Sequence, residues 1–119
     1  MIPKIMRTTI LLFALSLVTL LATSCKKCNN DDPTARIINN GSGSADVQIK
    51  AADGNLVQIS DLTSGSISST KEYVPGTATV KYAIGGEDKT ESISLETCTD
   101  YDITINSENK LVIFSQEKN

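Results

Sequence analysis

The chain has 119 residues, with 14 Asp and Glu against 11 Lys and Arg, three Cys, and neither His nor Trp. That length makes one domain with a thin core, because a chain of about 100 residues buries only about 60–70% of its unfolded surface. The net charge of -3 excludes the basic stripe that nucleic acid requires, and the lack of imidazole excludes Ser-His and Cys-His chemistry and His-based zinc ligation.

Lys4 and Arg7 give a short positive start, and Thr8 to Ser24 then carries no charge over 17 residues, most of them apolar. Small and hydroxyl residues, Ala22, Thr23 and Ser24, lead into Cys25. Positive start, apolar run and small residues at the cut are the parts of a cleaved, helical secretory signal. With the cysteine added, Leu21-Ala22-Thr23-Ser24-Cys25 resembles the lipobox of bacterial lipoproteins, with Ala22 at the position where Leu is commonest. That resemblance implies a signal peptide at residues 1–24 and diacylglycerol on the Cys25 thiol, with the new amine acylated. Each buried lipid methylene is worth about 0.8 kcal/mol, so several acyl chains hold a domain on a membrane. Two other readings stand beside it. One is an uncut transmembrane anchor, whose run would sit at the lower end of the roughly 17–25 residues that span a bilayer. The other is an ordinary cleaved signal, with Cys25 there by chance. Lys26, rather than an aspartate, follows the lipid cysteine, which points to the outer membrane of the cell envelope, facing the periplasm or the surface.

The mature chain of 95 residues keeps 9 of the 11 basic residues, having lost Lys4 and Arg7, against 14 acidic ones, a net of -5. Residues 25–34 read as the lipidated cysteine and a polar tether, since Lys26, Lys27, Asn29, Asn30, Asp31 and Asp32 bury no apolar area and Pro33 blocks regular structure. The Asn29–Asp32 cluster lacks the ligand spacing and turn glycine of a calcium loop, so no metal is expected there. Acidic residues soon after the lipid cysteine also resemble the export signal of surface lipoproteins in Bacteroidetes-type envelopes.

From residue 35 to 119 the period is 2, and short runs are broken by turn residues. Arg36–Asn39 is the first strand, followed by a loop over Asn39–Ser44. Val47, Ile49 and Ala51 alternate with polar residues up to Asp53-Gly54, which predicts a type I′ hairpin returning through Leu56–Ser60. Asp61–Ser66 reads as a loop, and Ile67–Val74 as a Ser/Thr-rich edge strand. After Pro75-Gly76, residues Ala78, Val80, Tyr82 and Ile84 define the clearest strand. Gly85–Asp88 turns it into Lys89–Leu95, with Ile93 and Leu95 inward. Tyr101, Ile103 and Ile105 alternate next, and Asn106–Asn109 leads to Lys110–Ser115. Seven or eight strands at this spacing predict an all-β, antiparallel β-sandwich of the immunoglobulin-like, Greek-key kind.

Leu95-Glu96-Thr97-Cys98-Thr99-Asp100-Tyr101-Asp102-Ile103 resembles the corner of fibronectin type III and related immunoglobulin-like domains. The resemblance implies Leu95 as an inward anchor and Tyr101 as a corner tyrosine bonded back to the backbone. Cys98 stands where Gly is frequent and Thr97 where Pro is frequent. More loosely, residues 35–115 resemble small β-sandwich domains of unknown function in Bacteroidetes lipoproteins, through Arg36–Asn40, Val74–Thr77 and the Tyr101 strand.

With Cys25 taken up by lipid, Cys28 and Cys98 remain. A bridge between them would close about 70 residues, worth roughly 4 kcal/mol in the chain-entropy picture. The alternative is two free or intermolecular thiols. Asp100 and Asp102 share the outward phase of one strand and are expected in water, and a core this thin leaves little room for a pocket of roughly 300 Å³ or more. Of the aromatic residues, only Tyr73 and Phe114 fall on phases open to a sugar, too few to make a sugar site. The expectation is a non-catalytic, cofactor-free envelope lipoprotein held to the membrane by its lipid. Two roles follow. Loops such as Asn39–Ser44 and Asp61–Ser66 meet a protein or glycan, or an exposed sheet edge, Ile67–Val74 foremost, pairs with a partner subunit.

Overall fold

Alternation gives each strand of this chain one apolar face, and a small domain buries such faces by stacking two sheets. The computed structural model describes residues 28–118. The signal peptide expected at residues 1–24, and Cys25, lie outside the described residues. Eight strands run in order: β1 (Thr34–Asn39), β2 (Ala45–Lys50), β3 (Leu56–Leu62), β4 (Lys71–Glu72), β5 (Gly76–Ile84), β6 (Glu87–Leu95), β7 (Thr99–Ile105) and β8 (Leu111–Glu117). They form two four-stranded sheets, here sheet A in the order β4-β1-β7-β8 and sheet B in the order β3-β2-β5-β6. The all-β sandwich is thus as expected. Two features of its wiring are new. The β1–β7 pair is parallel, so the sandwich is not antiparallel throughout. β1 and β2 also lie in opposite sheets, whereas the first two strands of an immunoglobulin constant domain share one.

The core lies between the sheets, built from Ile37, Ile103 and Ile105 of sheet A against Val47, Ile49, Ala78, Val80, Tyr82 and Ile84 of sheet B. The inward phase of β1 carries Ala35, Ile37 and then Asn39, which is fully buried. Its amide satisfies the surrounding backbone. Nδ2 donates to the carbonyls of Gly43 and Leu62, both at 2.8 Å, and Oδ1 accepts from Gly41 N–H at 2.9 Å. A side chain at Gly41 would run into Ile84 and Asn109, which explains a glycine beneath this hub.

Three local expectations change. Only Gly54 of the Asp53-Gly54 pair has positive φ, and Gly54 N–H bonds to Ala51 O, so this hairpin is a type I turn closed by a left-handed glycine. The two-residue turn with both φ positive falls instead at Gly85-Gly86, and β6 begins immediately after it at Glu87. The Ile67–Val74 segment does flank sheet A, but only Lys71–Glu72 pairs as a strand, with a separate bridge from Ile67 to Ile38. Ser68 is the cause: Ile37 N–H bonds to the Ser68 hydroxyl, so a side chain takes a donor that a ladder would have used.

Candidate functional site

β1, β7 and β8 lie in fixed register, so their outward residues form rows across the outer face of sheet A. Thr34 sits opposite Asp100, which is opposite Gln116. In the next row Arg36 meets Asp102 and Phe114, and in the third Ile38 meets Thr104 and Val112. Residues directly opposite share a face, so the first two rows and Thr70 enclose an open dish of about 510 Å³. The dish is thus larger than the small core led us to expect, because it lies on a sheet face and not inside the sandwich.

Every charge in the dish is partnered. Arg36 Nε lies 2.7 Å from Asp102 Oδ1, with a second contact at 3.3 Å, and this carboxylate holds the guanidinium charged by raising its pKa above the usual value. Asp100 accepts from the Thr34 hydroxyl and faces Lys118 Nζ at 3.5 Å. Both carboxylates are partly solvated, in keeping with their outward phase, and both are paired with cations. Phe114 stands over this polar floor with 60% of its surface exposed. An exposed ring beside hydroxyl, amide and paired charged groups has the chemistry to hold a neutral polar ligand by stacking and hydrogen bonds.

Tyr73, the other aromatic residue assigned to an open phase, is buried, and desolvation raises its pKa. It folds under the β4 edge, where its N–H bonds to Pro33 O. The serines of the 64–69 region are likewise engaged. Ser64 donates to Gly41 O, Ser68 to Ser69 O, and Ser66 shares a hydrogen bond with Thr63. Among the described residues no group of three or more His, Cys, Asp or Glu is placed to hold a metal ion.

The loops Asn39–Ser44 and Asp61–Ser66 do come together, at the end where β1 and β7 finish. Asn39 ties them, and the Asn106–Asn109 turn joins them through Asn109, which bonds Ser42 N–H and Ser42 Oγ, both at 2.9 Å. At the opposite end Cys28 and Cys98 form a disulfide across 70 residues. Cys98 has φ 58, the left-handed conformation that explains why glycine is frequent at this position of the corner pattern. Its N–H bonds to Asp31 O and its carbonyl accepts from Lys118 N–H. Pro33 is fully buried as well, so residues 28–33 are fastened to the sandwich, and only the part of the tether before Cys28 lies outside the described residues. At the step from β6 to β7, between the sheets, the Tyr101 hydroxyl accepts from Glu96 N–H at 2.9 Å, and Leu95 and Tyr101 are both buried.

The sequence reading missed Asn39 and the dish. Asn39 had a signal, being third in the inward series Ala35, Ile37, Asn39. The dish had none, because its rows join residues 66 positions apart.

No family model matches the chain, and no curated protein matches it in sequence. Among solved structures it is similar to the NMR structure of a protein from Eubacterium rectale, with a TM-score of 0.48 and 15% identity, over 80% of this chain and 98% of that one.

Proposed function

We propose that the chain is a lipoprotein of the bacterial cell envelope, anchored through Cys25, whose domain binds a protein or glycan neighbour without covalent chemistry. The dish on sheet A supports this most directly: Phe114 stands exposed over a floor of hydroxyl, amide and mutually neutralised charged groups. Neutralised charges suit a polar, uncharged ligand, and no side chain that titrates near neutral pH by its own nature is present to act as a base. The lipid anchor, on an outer-membrane lipoprotein facing the periplasm or surface, would keep the dish within reach of other envelope material.

Two experiments test it. Mass spectrometry of the membrane fraction should find a chain that begins at Cys25 with added acyl mass, and a Cys25→Ala protein should leave the membrane. Purified full chain on a glycan and envelope-protein array should bind, with binding lost in Phe114→Ala and Arg36→Ala. Turnover of a substrate that is abolished by Asp100→Asn or Asp102→Asn would overturn the reading.

An edge-pairing subunit is the second reading, and one observation favours it. β8 is an open edge of sheet A that carries Leu111, Val112, Ile113 and Phe114 in a row. The edge concerned is therefore β8 and not the expected Ile67–Val74, where β4 offers two residues only.

A further inference from the structure

Four strands of the sandwich have an open side, and three of them are blunted. β4 is two residues long, and the next residue, Tyr73, bonds Pro33 O instead of extending it. β3 carries a bulge near Asp61, whose φ is 58 and whose N–H is taken by the Asp46 carboxylate. β6 begins Glu87-Asp88-Lys89 and places Glu91 midway. Short length, bulges and charges are the devices by which sheets avoid joining one another. β8 has none of them over Leu111–Gln116, and both Ile113 and Phe114 are exposed.

Resting on the edge reading above, we infer that β8 is the interface of a two-fold symmetric dimer, its partner being the β8 of a second copy running antiparallel with Ile113 opposite Ile113. Backbone phase permits this. Lys110 and Lys118, at the two ends of the strand, bond back to Asn106 and Cys98. Antiparallel ladders alternate, so the even residues of β8 turn their backbone groups to β7, and Ile113, Ser115 and Glu117 present theirs at the open side, together with the carbonyl of Leu111. In the proposed register Ile113 bonds Ile113, and the Leu111 carbonyl accepts from Ser115 on each side, giving about four new hydrogen bonds, since the Leu111 N–H already meets the Tyr82 hydroxyl.

The side chains favour this register over the one centred on Phe114. Val112 lies opposite Phe114 of the other copy on the outer face, twice by symmetry, and the two Ile113 side chains meet on the inner face. Lys110 falls opposite Gln116, and Lys118 comes beside the turn that carries Glu108. Shifting the centre to Phe114 would set Lys110 directly against Lys118, a like-charge pair, and would part Val112 from Phe114. An interface of this kind must be self-complementary, and the centred register is. Sheet A then continues as eight strands, with the two dishes on one outer face.

The test uses the full chain in its membrane, with single cysteines at the edge and a mild oxidant. An antiparallel pair holds opposite Cα atoms about 4.5–5.5 Å apart, within disulfide reach, whereas diagonal neighbours stand about 7–8 Å apart. Ile113→Cys should give a covalent dimer of its own. Val112→Cys and Phe114→Cys should each stay monomeric, yet join one another when co-expressed. In detergent the unmodified chain should sediment at twice its monomer mass, and Ile113→Lys should halve that mass with an unchanged circular dichroism spectrum. Equal crosslinking at 112, 113 and 114, no crosslinking, or a monomeric mass for the unmodified chain would overturn the dimer. So would crosslinks from β8 to a different protein with none to a second copy, an outcome that would keep the edge reading while removing this partner.

Discussion

Sheets A and B are built from the same kind of strand and hold together in different ways. Sheet B is two hairpins set side by side through β2 and β5: β2 returns through a tight turn into β3, and β5 through Gly85-Gly86 into β6. Sheet A depends on distant partners. β1 enters beside β7 across 66 residues of sequence, and Cys28 is bound to Cys98 across 70. The outer faces differ too. Sheet B shows a hollow of Lys50, Lys81, Gln48, Thr79 and Leu56, with no aromatic ring. Sheet A shows the dish, the exposed Phe114 and the open β8 edge. The proposed contact surfaces thus fall on the sheet whose β1–β7 pairing spans the most chain. The disulfide accordingly holds together the half of the domain that local turns do not.

Removing the bridge is the strongest way to break that comparison. A Cys28→Ser, Cys98→Ser chain should lose about 4 kcal/mol in denaturant unfolding, the loop-closure value for about 70 residues. Hydrogen exchange should then quicken first in β1 and β7. Equal loss of protection across β2 and β5 would show that the two sheets are one unit.

Next in size is Asn39→Ala. It strips the buried carbonyls of Gly43 and Leu62 and the Gly41 N–H of their partner, so about 2–3 kcal/mol should be lost. Asn39→Asp, which keeps the acceptor and loses the donor, should be no better.

Tyr101→Phe removes only the hydroxyl that Glu96 N–H reaches between the sheets, and about 1 kcal/mol should go with it. A change within error would show that packing of the ring alone turns this corner.

The smallest effect lies in alkali. Burial raises the pKa of Tyr73 above its ordinary value of 10.0 in the folded state. The folded protein then holds this proton more tightly than the unfolded chain, so its contribution is complete below pH 10 and declines as pH rises past it. Tyr73→Phe should flatten that limb of the stability curve, read by urea midpoints between pH 9 and about 11.

The division between the sheets also explains what the sequence made legible. Alternation and turn residues are local, so the strands of sheet B and the inward set Ala78, Val80, Tyr82 and Ile84 could be read directly. The Cys28–Cys98 pair could be named because only two thiols were left, although free thiols remained open until the structure joined them. Nothing local marks Thr34 as the neighbour of Asp100, so the β1–β7 pair and the dish built on it stayed hidden. Ile67–Val74 misled for a physical reason: the Ser68 hydroxyl takes the Ile37 N–H that a strand would have left to its backbone partner. Tyr73 misled for another, since the short β4 carries it under the edge of the sandwich.

The claim that sheet A is the face of contact is tested most directly by photocrosslinking in intact cells. A photoreactive residue is placed at Phe114 on sheet A or at Lys81 on sheet B, and adducts are identified by mass spectrometry. Adducts are expected from position 114, to a second copy or to an envelope neighbour, and none above background from position 81. Adducts from 81 with none from 114 would contradict the claim.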